Sequence, residues 1–368
     1  MKRKKAAHFL LIPELLHSPP NEAIINAYIN NGYAIDIYTP GRLPESTRYG
    51  QLIRVFRVEY TWLWLARNLL RFRWLPYDVV SGTSEDPLCM VGLISDLYRK
   101  KSICLVDEIK SGTYRGDRSE SWKSLCKHAI IKSDLQIVND ESRINLLREY
   151  ASLDTIKGVI VYPGCFYNRP IRNEQLRHNY RTSWGFCMED FIIGSSGGFN
   201  LTAGADWLLK YVGEDKEVKS VIQPLGVSPL SMFLLKSLEC SNRIYIQDKR
   251  MDWNEAWESA QALDIGICIY MNQAPQFQNM GISSNRLCMF LAMGVPVIAS
   301  KQDSFQFLED YGCGVMVEDY NEFKDAVGYI KNNKSDMMEN CEKCFHDYIA
   351  PSARYQILAE RIKDLESR

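Results

Sequence analysis

Two glycine- and serine-rich stretches hold the residue types that grip anions. In "GSSGGFNLTAGADWLL", from Gly194 to Leu209, a β-rich run passes through Gly197, Gly198 and Asn200 into a helical pattern. Glycines there let the backbone approach a phosphate while free amides and a helix dipole face it. The spacing is looser than G-x-G-x-x-G, and a turn needing positive φ accounts for it equally well. The second stretch is "GISSNRLCMFLAMGVPVIAS", Gly281 to Ser300. Ser283, Ser284 and Asn285 are N-cap types that present hydroxyls and amides at a helix start, and Arg286 could reach a phosphate from the same point. Simple capping is the plainer alternative. Gln223 and Asp248 close two further β-rich runs, where ligands of such sheets are met, and Lys249 and Arg250 follow directly.

Proton-transfer candidates lie in the first half. "SICLVDEIKSG" ends a β-rich run with Asp107 and Glu108, and a carboxylate there could serve as a general base. Two solvated acids at a strand end would look the same. His17, in "PELLHSPP", is a second candidate base, although a lone loop histidine is more often incidental. The eleven cysteines are scattered singly, their count is odd and no signal-peptide pattern precedes them, so a reducing cytoplasm is expected. Cys341 and Cys344 with His346 form the one close thiol set, and a zinc site would need a second pair. No metal site is expected.

These residues need a scaffold. A chain of 368 residues with 46% apolar composition is long enough for two domains. Its formal net charge of -1 excludes a global electrostatic case for nucleic acid. Short β-rich runs alternate with helical stretches, the spacing of parallel sheets with crossover helices. "HFLLI", "AIDIY", "DVVSG", "SICLV", "LQIV" and "GVIVY" make the first set. "FIIGSSGG", "SVIQP", "IYIQD", "DIGICIY", "VPVIAS" and "GVMV" make the second. The expected organisation is an α/β chain of two doubly wound Rossmann-like domains facing across a cleft. The first domain would span 1–165, a linker 166–185, the second domain 186–345, and a terminal helix 346–368 would pack back on the first domain. No apolar run reaches the length of a membrane span. In "RVFRVEYTWLWLARNLLRFRWLPYD", however, arginines alternate with tryptophans, the composition of a segment lying on an anionic bilayer; an amphipathic helix packed on a sheet is the alternative.

"SSNRLCMFLAMGVPVIAS" resembles the "S-P-x-K-x-x-E-Y-x-A-x-G-x-P-V-I-A" segment of GT-B glycosyltransferases, the class related to glycogen synthase and to bacterial transferases that build surface polysaccharides. "IIGSSGGFNLTAGADWLL" looks like the strand, glycine turn and helix that open the donor domain of that class. "ALDIGICIY" is similar to its "A-D-I-x-L-x-P-S", "SDLQIVNDESRINLL" to its "A-D-x-V-I-x-x-S", and "VIVYPG" to its "V-I-P-N-G". The resemblance spans nearly the whole chain. It implies a sugar transferred from a nucleotide-sugar co-substrate to a hydroxyl of a glycan or lipid-linked acceptor, with no other cofactor and no metal; no Asp-x-Asp occurs in the chain. The departures are specific: Gly281 and Met289 stand where many retaining members carry a glutamate pair, and Gly198 and Ala203 where an arginine and a lysine clamp the diphosphate. Arg286, backbone amides, or Lys249 and Arg250 would then neutralise the diphosphate. A non-catalytic subunit of the same fold is the alternative reading. A nicotinamide-dependent dehydrogenase fits poorly, because the turn after the first β-rich run has no glycine.

Overall fold

In the computed structural model the described residues are 4–41, 53–75, 77–107, 120–152, 158–168, 171–227, 233, 242–247 and 251–365. Seven parallel strands form the first sheet: β1 Lys4–Phe9, β2 Tyr33–Thr39, β3 Ile53–Arg57, β4 Val79–Thr83, β5 Lys101–Val106, β6 Leu135–Val138 and β7 Val159–Val161. Their order is β3-β2-β1-β4-β5-β6-β7, so the winding reverses between β1 and β4. Such strands are buried on both faces and read as apolar runs rather than as alternation. Along β5 the side chains divide by parity. Ile103 and Leu105 join a core with Ile24, Ile25 and Leu358, while Cys104 and Val106 join another with Trp122, Cys126 and Ile130.

The second sheet has six parallel strands: β8 Phe191–Phe199, β9 Val218–Val227, β10 Ile244–Ile246, β11 Ile265–Cys268, β12 Val297–Ser300 and β13 Gly314–Val317. They lie in the order β10-β9-β8-β11-β12-β13, and the winding reverses between β8 and β11. The chain divides into two compact units, Met1–Tyr167 with Pro351–Arg368, and Asn168–Ala350. The last helix, Pro351–Asp364, is tied to the first unit: Asn31 donates to the Ala359 carbonyl at 3.1 Å and Asn30 to the Tyr355 hydroxyl at 2.7 Å.

The structure departs from the sequence reading at several points. β1 begins at Lys4, ahead of "HFLLI". β3 falls within the arginine–tryptophan stretch and is not among the expected strands, because Arg54 and Arg57 of this edge strand face solvent and break the apolar run. The segment read as a connection, 166–185, contains the helix Glu174–Ser183, whose inward residues Arg177 and Arg181 are buried. Charge hid that face from a hydrophobic pattern. Asp264 makes the burial possible by accepting from Arg177 at 2.9 Å, Arg181 at 2.8 Å, Lys334 at 2.5 Å and the Ile192 amide at 2.7 Å. Cys341 and Cys344 are buried thiols at the end of the helix Tyr320–Cys344, and among the described residues no cluster could hold a metal ion. No described helix is long and apolar enough to cross a membrane.

Candidate functional site

Ligands of open α/β sheets bind beyond the carboxyl ends of the strands, at the reversal of winding. In the second unit that point lies between β8 and β11. The helix Asn285–Ala292 can lie close over β11 because Gly266 has no side chain: a Cβ there would sit 2.2 Å from the Phe290 ring. Its start is locked. The Ser284 hydroxyl caps the Leu287 amide at 3.2 Å and meets the Tyr270 hydroxyl at 2.5 Å, and Ser283 donates to the Met280 carbonyl. Both serines are buried, so their hydroxyls shape the helix start rather than face outward. What remains toward a ligand is the first-turn amides of Asn285 and Arg286, which no helix carbonyl can meet.

Arg286 is half-buried and turns over the strand ends. Its Nε donates to the Tyr270 hydroxyl at 2.9 Å, one terminal nitrogen to the Ile269 carbonyl at 2.8 Å, and the other reaches the Ser196 carbonyl only at 3.5 Å. The guanidinium also lies 4.2 Å from the centre of the Tyr270 ring. Among the described residues no carboxylate pairs with it. Burial works against its charge, but Tyr270 and Cys268 outweigh this and hold its pKa above the ordinary range. Burial likewise raises the Tyr270 phenol, so both groups keep their protons. Tyr270 is the residue the sequence reading missed. Its position at the end of "DIGICIY" was visible, but an aromatic there reads as core.

β8 does not turn at its glycines. It continues to Phe199, pairing with β9, with a register shift between Gly197 and Gly198. The turn into the helix Ala205–Glu214 is made by the 3-10 turn Leu201–Ala203 and Gly204, while the Asn200 side chain accepts from Thr202 at 2.8 Å. A bulge at a strand end re-aims the backbone. Gly197 has φ +93, with no heavy atom within 4 Å of where a Cβ would stand, and Gly198 is exposed. The bulge is therefore open, and its neighbour Ser196 is the residue Arg286 reaches. The structure thus joins Gly197, Arg286 and the helix start into one constellation.

Gln223 does not join it. β9 runs on past this residue, and its amide donates to Ser259 at 2.8 Å, tying the strand to the helix Trp253–Ala260. Asp248, Lys249, Arg250 and Glu108 lie outside the described residues, as does the side chain of His17, which closes the turn Pro13–His17. In the first unit Asp107 follows β5. Ser84 donates to its carboxylate at 3.4 Å to either oxygen, and Arg143 donates to its backbone carbonyl. Ser84 has φ 69 and ψ 165, a region that only glycine enters freely, so holding it there costs about 1–3 kcal/mol. Thr83 and Asn139, at the ends of the flanking strands β4 and β6, each bury a side-chain oxygen that has no partner among the described residues.

No family model matches the chain, and no curated protein matches it by sequence. Solved structures do match it along its whole length. HepE from Anabaena, in complex with UDP-glucose, aligns at TM-score 0.72 and 14% identity, covering 98% of this chain and 99% of that one. The chain has the GT-B fold. WaaG, a glycosyltransferase involved in lipopolysaccharide biosynthesis, aligns at TM-score 0.67 and 12% identity over 98% of this chain and 99% of its own. A putative UDP-N-acetylglucosamine 2-epimerase from Listeria monocytogenes aligns at TM-score 0.62 and 13% identity over 100% and 98%. Transferases and an epimerase thus share the GT-B architecture, so the reaction has to be argued from the site.

Proposed function

We propose that the chain is a glycosyltransferase that moves a sugar from a nucleotide-sugar donor to a hydroxyl of a glycan or lipid-linked acceptor, in the synthesis of a bacterial surface polysaccharide. The observation that carries this reading is Arg286, a charged and half-buried guanidinium that pairs with no carboxylate among the described residues, set at a helix start beside the open Gly197 bulge. A cation so placed, with amide dipoles around it, suits the diphosphate of such a donor. Arg286 would do the work of the absent arginine and lysine of the glycine turn. The UDP-glucose complex of HepE supports the nucleotide-sugar donor, and WaaG supports the sugar-transfer class.

In the reaction we propose, the bond between the anomeric carbon and the diphosphate oxygen breaks, and the charge left on the diphosphate falls to Arg286 and the amides of Asn285 and Arg286. The acceptor oxygen forms the new bond, and its proton passes to a general base. With Gly281 and Met289 in place of the glutamate pair, we favour inversion over retention and assign no metal. The protein would work in the cytoplasm, in peripheral contact with an anionic membrane.

Titration calorimetry with a panel of nucleoside diphosphates and their sugar esters tests the reading. At least one is expected to bind, with release of the diphosphate once an acceptor is supplied. The absent glutamate pair and diphosphate clamp favour one other reading, a binding subunit without catalysis. Failure of every nucleotide to bind would select that reading and overturn ours.

A further inference from the structure

The helix Trp62–Trp74 has two unlike faces. Leu65 and Phe72 are buried against the first sheet, where Phe72 packs at 5.6 Å from Tyr38 and 6.1 Å from Phe9, ring centre to ring centre. Thr61 caps the start by accepting from the Trp64 amide. Leu63, Arg67 and Trp74 recur at helical spacing on the opposite side, flanked by Arg71 and Arg73. That side is apolar where a soluble helix should be polar: Leu63 is 60% and Trp74 79% exposed. Among the described residues Arg67, Arg71 and Arg73 have no ion pair. Arg71 lies over Phe56 at 5.4 Å and Arg73 over Trp74 at 5.7 Å. The stretch 53–75 holds five arginines and a single carboxylate, Glu59.

We infer that this outward stripe docks on an anionic lipid bilayer, with Leu63 and Trp74 entering the interface and Arg67, Arg71 and Arg73 meeting headgroup phosphates. The charge decides between occupants. A protein partner would need its own acidic, apolar-centred patch, and a second copy would bring like charges together. An anionic membrane supplies both negative charge and an apolar boundary layer, and tryptophan and arginine are the residues that lie at that boundary. The inference deepens the membrane contact of the reading above and is independent of the donor site.

Flotation of the full chain with vesicles of phosphatidylcholine, with and without phosphatidylglycerol, is the test. The protein is expected to float with the anionic vesicles only and to be released by salt, since charge attraction fades beyond a Debye length. The triple variant R67E/R71E/R73E should bind anionic vesicles more than about tenfold more weakly. The double variant L63S/W74S should also weaken binding, while its residual binding stays salt-sensitive. All five positions are exposed, and an unchanged circular dichroism spectrum and denaturation midpoint would show that the variants are folded. Failure to float with anionic vesicles at low salt, or undiminished flotation of the triple variant, would overturn the inference. So would a dimer in solution that L63S/W74S dissolves, which would assign the stripe to a second copy. None of these outcomes bears on nucleotide binding, so the two readings fail separately.

Discussion

The second unit holds two arginine sites that differ in what is left unfilled. Arg181 is buried beside Asp264 and spends its remaining N–H groups on the carbonyls of Ala262, Cys187, Met188 and Asp190; Arg177 adds those of Gln261 and Leu263. Arg286 makes two firm bonds and one long one, to a phenol and two carbonyls, and keeps donors in hand. A saturated, neutralised guanidinium fastens helices to a sheet. One held in place by neutral groups keeps its charge unneutralised.

The largest effect expected from this contrast is on stability. Asp264→Asn leaves buried cations uncompensated and should cost about 3–5 kcal/mol in chemical denaturation, with the loss lodged in the second unit. A smaller effect separates the two units by pH. In the first, His8 is buried between Ser81 at 2.8 Å and Asn21 at 2.9 Å, and burial outweighs the Asn21 bond to lower its pKa to about 4. Because the unfolded imidazole binds its proton more readily, this neutral histidine contributes stability that is present above pH about 6.5 and lost as pH falls toward about 4. The first unit should therefore lose about 2 kcal/mol between pH 7 and pH 5. Burial raises the Asp264 carboxyl, but Arg181, Lys334 and Arg177 outweigh it and set its pKa below the ordinary value. Its contribution is present above pH about 4 and lost only as pH falls through that depressed value, so the second unit should hold at pH 5. Denaturation followed separately in the two units, with His8→Gln flattening the dependence of the first, checks both signs. The smallest effect is at the cap. Ser284→Ala should cost about 1 kcal/mol of stability and weaken nucleotide binding less than loss of the Arg286 charge does.

Most strands were legible because a doubly wound sheet writes itself as apolar runs at regular spacing, and "LQIV" and "GVMV" fall on β6 and β13 end for end. β3 was not, since exposed arginines interrupt its apolar run, and neither was the helix Glu174–Ser183, whose arginines are buried only through a carboxylate far along the chain. The helix start at Ser284 was readable from its cap residues. The orientation of Arg286 was not, because it depends on Tyr270 and on the Ser196 carbonyl, two contacts that only the fold brings together. Nor could the sequence show that the glycines form a strand bulge, or that Ser84 is held at positive φ, because neither residue type demands it.

The central claim is that Arg286 carries a charge reserved for a diphosphate. It is tested most directly by the affinity of Arg286→Gln for uridine diphosphate, measured by calorimetry beside the unaltered chain. The amide can still bond Tyr270, so the fold should persist, and removal of a charge-assisted contact worth about 2–3 kcal/mol should weaken binding by roughly 30- to 150-fold, with less dependence on salt. Equal affinity in the two proteins, with the same response to salt, would contradict the account.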